Sequence, residues 1–247
     1  MEALVPVWLS TYDEDKEGFS YYGTTLYEEF STIKIKLDGR SRALKLVDDL
    51  GLIACPYCNR NFINNTDKKG RRTCDIDHFF AKKKFPFLAI SFYNLIPSCK
   101  WCNFVKLDSA NSSPEEFILN PYDTREGYTF DANIEVEIEN CEFYYKTSAL
   151  KVEFSNSLNK RVQKHIQAFH LDKLYAQHTD FVLELIQKKY AYSESYLDSL
   201  YKQYEGTLFK NREDILRLVA GNFVDEANLS KRPLSKLTKD IVQQLDL

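Results

Sequence analysis

The sequence predicts an α+β chain: a small strand-bearing centre, clamped by cysteines, between two mostly helical parts. Three observations predict it. Two CxxC pairs, Cys55/Cys58 and Cys99/Cys102, stand forty residues apart. Short apolar runs of strand character lie between and after them, at 71–79, 91–99 and 134–154. Apolar residues at helical spacing fill the chain before Cys55 and after Ser155. The order divides the chain into a helical lead-in (1–54), the clamped centre (55–123), antiparallel strands (124–156) and a helical C-terminal region (157–247).

In the lead-in, Leu26, Phe30 and Ile33 fall on one helical face, as do Ala43, Leu46, Val47 and Leu50. Asp38-Gly39 breaks the two helices apart, and Gly51 ends the second. Inside the clamp, RRTCDIDHF suits a strand and SFYNLIPSC a second one, with a helix opening at Asn103. Cys74 reads as a buried strand thiol and Cys141 as a core residue. Asp75 reads as a solvated charge at a strand end.

Asn120-Pro121-Tyr122-Asp123 is a turn. Ile134, Val136 and Ile138 then alternate with Glu135, Glu137 and Glu139, the mark of a half-exposed strand. Phe143-Tyr144-Tyr145 and Leu150 to Phe154 read as its partners. A glutamate row repels nucleic acid, so this sheet is scaffold or a protein-contact surface. Helices then run from Ser157 to Phe169 and from Leu171 to Tyr201, with Leu174, Phe181, Leu185 and Tyr192 at helical spacing. His165, His170 and His178 lack the i, i+4 spacing of ligand pairs and suit packing or surface roles. A basic turn at Lys231 to Leu237 precedes the last helix.

With 44% hydrophobic and 14% aromatic residues, the 247-residue chain has ample material for a core. Its net charge of −3 excludes a globally basic nucleic-acid binder, so any grip on a polyanion is local or shared with a partner. No stretch is apolar for the roughly 18 residues that a membrane span needs. The N-terminal MEALVPVWLSTYDED lacks the basic start of a secretory signal. Six cysteines, four of them at metal spacing, suit the reducing cytoplasm better than a disulfide scaffold.

Four thiolates in two CxxC pairs suffice for a closed tetrahedral Zn²⁺ site that ties the two segments together. The clamp encloses Asp77-His78 and Asn94, and Asn103 and Lys106 follow it directly. The flanking run is locally basic. Lys68, Lys69, Arg71, Arg72, Lys82, Lys83 and Lys84 face Asp67, Asp75 and Asp77, seven positive against three negative. Arg71, Arg72 and Lys82–84 are candidates for nucleic-acid contact, and each reads equally well as part of a solvated loop. Taken alone, the cysteines fit a structural zinc ribbon as well.

Asp-His in a strand, then Asn, then Cys-Lys-Trp-Cys-Asn-Phe-Val-Lys opening a helix, resembles the HNH (His-Me finger, ββα-metal) nucleases that carry a four-cysteine zinc site. The resemblance implies a ββα-metal core and a role for each residue. His78 would be the general base, Asn94 would orient its ring, and Asp77 and Asn103 would hold one catalytic Mg²⁺ or Mn²⁺. Lys106 would contact the scissile phosphate. Asp77 and His78 are neighbours, so they can serve one site only if the strand ends there. Asn103 stands where the family pattern often has histidine, which favours a hard, oxygen-liganded cation. Ala81 stands where the family loop often has proline.

CPYCNRN, DIDHFFAKKKFPFLAISFYNLIPSCKWCN and NPYD narrow the likeness. Over about 54–123 they are similar to the HNH subunits of Septu-type anti-phage systems, including those attached to retrons. That family implies a cytoplasmic endonuclease held by an ABC/SMC-type ATPase. The C-terminal helices or the glutamate-bearing sheet are the expected contact. A retron reverse transcriptase and its nucleic-acid product would be further partners. Two other readings stay open: a non-catalytic zinc-ribbon adaptor, and a stand-alone HNH DNase of restriction or homing type.

Overall fold

Ser41 caps the helix that leads into the clamp. Its hydroxyl accepts from the Leu44 N–H at 3.3 Å. That helix, α2 (Arg42–Leu50), buries Ala43, Leu44, Leu46 and Val47 and ends on Gly51, whose φ of 58° suits glycine. Helix α1 (Glu17–Thr32) precedes it. The computed structural model describes residues 17–32, 41–65, 72–106, 111, 117–123, 127–133, 150–155 and 159–246. Ile33, Asp38-Gly39, Arg71, the glutamate-bearing strand, Phe143–Tyr145 and Cys141 lie outside them.

The described chain is α+β and mostly helical, with two two-stranded antiparallel sheets. Strand β1 (Cys74–His78) pairs with β2 (Leu95–Cys99), setting Cys74 opposite Cys99 and His78 opposite Leu95. Helix α3 (Lys100–Lys106) follows β2 without a linker. It thus starts three residues before Asn103, where the sequence suggested its opening. Ser91 to Asn94 is not strand; residues Phe92–Asn94 form a 3₁₀ turn. The predicted turn at Asn120 is present, with the Asp123 N–H bonded to the Asn120 carbonyl.

The second sheet pairs β3 (Thr129–Ala132) with β4 (Val152–Ser155). The remaining helices are α4 (Lys160–Phe169), α5 (Leu171–Tyr175), α6 (Thr179–Ala191), α7 (Glu194–Tyr204), α8 (Arg212–Ala220) and α9 (Ser235–Leu245). The long helical pattern from Leu171 to Tyr201 is therefore three helices. A 3₁₀ turn at Ala176–His178 makes one break, and Ser193 makes the other by capping α7.

The chain forms two compact units. One comprises Met1–Gly127 and Leu158–Phe169, the other Tyr128–Ser157 and His170–Leu247. In the second unit Asp240 on α9 accepts from the Phe130 N–H at 2.9 Å, and Phe130 packs on Tyr175. In the first unit α4 returns to the clamp. There His165 is buried, its ring stacks edge-on to Phe169, and its Nε2–H donates to the Tyr57 carbonyl at 2.8 Å. Among the described residues, no helix is long and apolar enough to cross a membrane.

Burial pushes the His165 pKa down to about 4 from an ordinary 6.5. The unfolded chain therefore takes up a proton between these values that the folded chain refuses, and stability falls as pH falls. Between pH 7.5 and pH 5 this one group costs about 2 kcal/mol. Denaturant unfolding of the wild type and of His165→Leu at both pH values should show the variant losing less on acidification by about that amount.

Candidate active site and metal centre

Cys55 and Cys58 sit in a tight turn after α2, with the Cys55 N–H bonded to the Asn61 carbonyl and the Asn59 N–H to the Cys55 carbonyl. Cys99 ends β2, and Cys102 lies in the first turn of α3. The four Sγ atoms all lie within 4.8 Å of one another and are buried. Cys58 Sγ and Cys99 Sγ are 4.0 Å apart, far beyond disulfide length. Ligands about 2.3 Å from a tetrahedral zinc ion stand about 3.8 Å apart, so the spacing fits a metal.

Donors already face the sulfurs. Cys99 N–H points at Cys55 Sγ (3.3 Å), Arg60 N–H at Cys58 Sγ (3.4 Å) and Asn61 Nδ2 at Cys99 Sγ (3.3 Å). Burial raises the Cys55 pKa, while hydrogen bonds from Cys102, then Cys55 and Cys58, hold Cys99 low. Four crowded, buried thiols cannot all ionise alone, and a divalent cation lets them do so.

Strand β1 stops at His78, and its chain leaves the sheet into buried surroundings. Three successive carbonyls then need donors. The His78 carbonyl takes Lys106 Nζ at 2.6 Å, that of Phe79 takes Asn111 Nδ2 at 2.8 Å, and that of Phe80 takes Asn94 Nδ2 at 3.1 Å. Asn94 is fully buried; it also accepts from the Phe80 N–H (2.7 Å) and donates to the Leu88 carbonyl (3.0 Å). Its amide therefore closes the 79–94 loop rather than reaching the His78 ring. The ring is held by Ala89 on that loop, whose carbonyl lies 2.9 Å from His78 Nε2.

A carbonyl only accepts, so this bond puts the proton on Nε2 and leaves Nδ1 with the lone pair. Burial drives the His78 pKa down to about 4; the Ala89 carbonyl and Asp77 pull it up, Lys82 and Lys106 down. The ring is thus neutral at pH 7. Tyr27 from α1 packs edge-on against it, with ring centres 4.4 Å apart.

Asp77, His78, Asn103 and Lys106 share one open cleft of about 470 Å³ with Tyr27, Ile76, Ala81, Lys82 and Phe104. Asp77 Oδ2 accepts from the Tyr57 hydroxyl at 2.6 Å, and Lys106 Nζ stands 2.9 Å from the same oxygen. Both ends of this ion pair are nearly inaccessible to solvent. Lys106 is therefore committed to the floor of the cleft and neutralises Asp77. Asn103 does not bond to Asp77; its Nδ2 donates to Asp75 Oδ2 at 3.2 Å.

Of the candidate basic residues, Lys82 lines the cleft and lies over the Tyr27 ring at 4.7 Å. Lys83 and Lys84 are exposed on the loop, and Arg72 Nε donates to the Cys74 carbonyl at 3.0 Å. Sequence reasoning missed Tyr27, Tyr57 and Asn111, and took Asp75 for a solvated charge. Tyr57 lies inside the first CxxC, so its neighbours gave a hint; Tyr27 and Asn111 carried no spacing signal.

No family model matches the chain. A segment of it is similar to the Septu protein PtuB of Bacillus thuringiensis, 33% identical over 67 residues. That match covers 27% of this chain and only 23% of that protein. No solved structure matches. The likeness supports a relation to Septu proteins loosely, over a segment.

Removing one member of a buried ion pair leaves the other charge stranded, at a cost of about 3–5 kcal/mol. Lys106→Met should therefore destabilise the first unit by about that much in denaturant unfolding. The double variant Asp77→Asn with Lys106→Met should recover only part of the loss, because the His78 carbonyl still lacks its Lys106 donor.

Proposed function

We propose that this protein is a metal-dependent endonuclease of the HNH type that hydrolyses phosphodiester bonds in nucleic acid. One observation carries the reading: a neutral histidine with its lone pair on Nδ1 shares a cleft with two oxygen-bearing side chains, Asp77 and Asn103. In this reading β1, β2 and α3 are the ββα-metal core. His78 takes a proton from the attacking water. Asn103 and Asp77 would hold Mg²⁺ or Mn²⁺, which would supply charge stabilisation at the phosphate. Both Asp77 oxygens are taken by Tyr57 and Lys106, so a cation there would displace the Lys106 ammonium. Asn94 sets the His78 ring indirectly, by fixing the loop that carries Ala89. Lys106 holds Asp77 and the His78 backbone in place, and Lys82 is the cation best placed to meet a phosphate.

The four cysteines hold a structural Zn²⁺ whose loss loosens the helix that carries Asn103. Elemental analysis should find about one zinc per chain, and Cys58→Ser should lose both zinc and cooperative unfolding. Folded protein without zinc would overturn the clamp.

The likeness to a Septu protein supports a role in anti-phage defence. It also supports the reading that the nuclease works with an ABC/SMC-type ATPase; in this reading the contact is through the C-terminal helices or the glutamate-bearing sheet. Any retron reverse transcriptase and its product would join through that assembly. Purified with its genomic neighbours, the protein should cut nucleic acid in Mg²⁺. His78→Ala should fold, keep zinc and cut ~10² to 10⁴ more slowly. Wild-type cleavage by His78→Ala would leave the zinc-ribbon adaptor as the better reading.

A further inference from the structure

Asp75 and Asp77 lie two residues apart on β1 and so project to one face. The second of them is in the cleft. The first is half-buried and receives the amide nitrogen of Asn103 at 3.2 Å. An asparagine amide has a donor end and an acceptor end of nearly equal size. Nothing in its own shape decides which end meets an incoming cation. A carboxylate only accepts, so Asp75 can take the nitrogen end and never the oxygen end. We propose that Asp75 is a positioning residue that fixes the Asn103 amide so that its oxygen, not its nitrogen, is offered to the cleft.

This rests on reading Asn103 as a cation ligand. Without Asp75 the amide turns about its last bond and presents N–H donors to the cation for part of the time. Helix α3 cannot prevent that turn, because its backbone leaves the terminal torsion broad. Outer partners of this kind typically carry 10–100-fold in metal affinity. The Asp75 charge could attract a cation by itself, so the test must separate charge from orientation.

Mn²⁺ binding to zinc-loaded protein, followed by electron paramagnetic resonance without nucleic acid, makes that separation. Zinc content and the thermal transition control for folding. Asp75→Ala should weaken Mn²⁺ binding about 10–100-fold. Asp75→Asn removes the charge and, because its own amide can meet either end of Asn103, also the constraint, so it should weaken binding comparably. Asp75→Ala combined with Asn103→Ala should bind no more weakly than Asn103→Ala alone, since the first acts only through the second. If Asp75→Ala does not fold, Asp75→Ser, too short to reach the amide, takes its place.

Wild-type affinity in Asp75→Ala overturns the proposal. Additive doubles, in which Asp75→Ala weakens Mn²⁺ binding as much without Asn103 as with it, also overturn it and leave a charge effect. If Asn103→Ala itself binds Mn²⁺ like the wild type, the cation reading fails and takes this inference with it.

Discussion

A strand that leaves its sheet in a buried place must find new partners for its backbone, and β1 does so at His78. Lys106, Asn111 and Asn94 each supply a buried donor to one of the three carbonyls that follow. An unmet buried carbonyl costs about as much as a lost hydrogen bond, so these side chains are not interchangeable with apolar ones of similar size. The exit sets Asp77 and His78 at the end of the strand, where adjacent residues can serve one cleft. It also starts the loop whose Ala89 carbonyl holds the His78 ring.

The cysteine cluster fixes the other side of the cleft. Cys99 is the last residue of β2, directly opposite Cys74 on β1, and Cys102 is already inside α3. Tying both to the Cys55 turn sets the direction in which α3 leaves the sheet. One residue after Cys102 comes Asn103, and Lys106 follows on the same helix face. The clamp therefore acts on the proposed chemistry through rigid backbone. It places the amide near Asp75 and the ammonium near Asp77 without touching the cleft. Tyr57, between the two cysteines of the first pair, joins the clamp to Asp77 directly.

Placement that depends on a fixed spacing was legible in the sequence. The four cysteines lie together, and the residues around Asp77-His78, Asn103 and Lys106 share one cleft, because CxxC turns and a hairpin constrain where they go. Gly51 and the turn at Asn120 were legible for the same reason. Long-range choices were not. Tyr27 reaches His78 from a helix some fifty positions upstream, and Asn111 reaches Phe79 from a segment with no pattern of its own. Asn94 was singled out, yet its partners are backbone groups, which carry no sequence signature. Asp75 looked like a strand-end charge because the helix that meets it lies twenty-eight positions away. The start of α3 was placed late because a zinc-type turn and a first helical turn look alike in sequence.

The proposed chemistry depends on the state of one ring. It requires His78 to be neutral at pH 7, with its proton on Nε2 against the Ala89 carbonyl and Nδ1 bare. Nitrogen-15 NMR of ring-labelled, zinc-loaded protein reads both features at once, with His78→Ala assigning the signal. The predicted result is one protonated and one unprotonated ring nitrogen at pH 7, the proton on Nε2, with titration only near pH 4. A ring that is doubly protonated at pH 7, or that carries its proton on Nδ1, would contradict the assignment of His78 as the base.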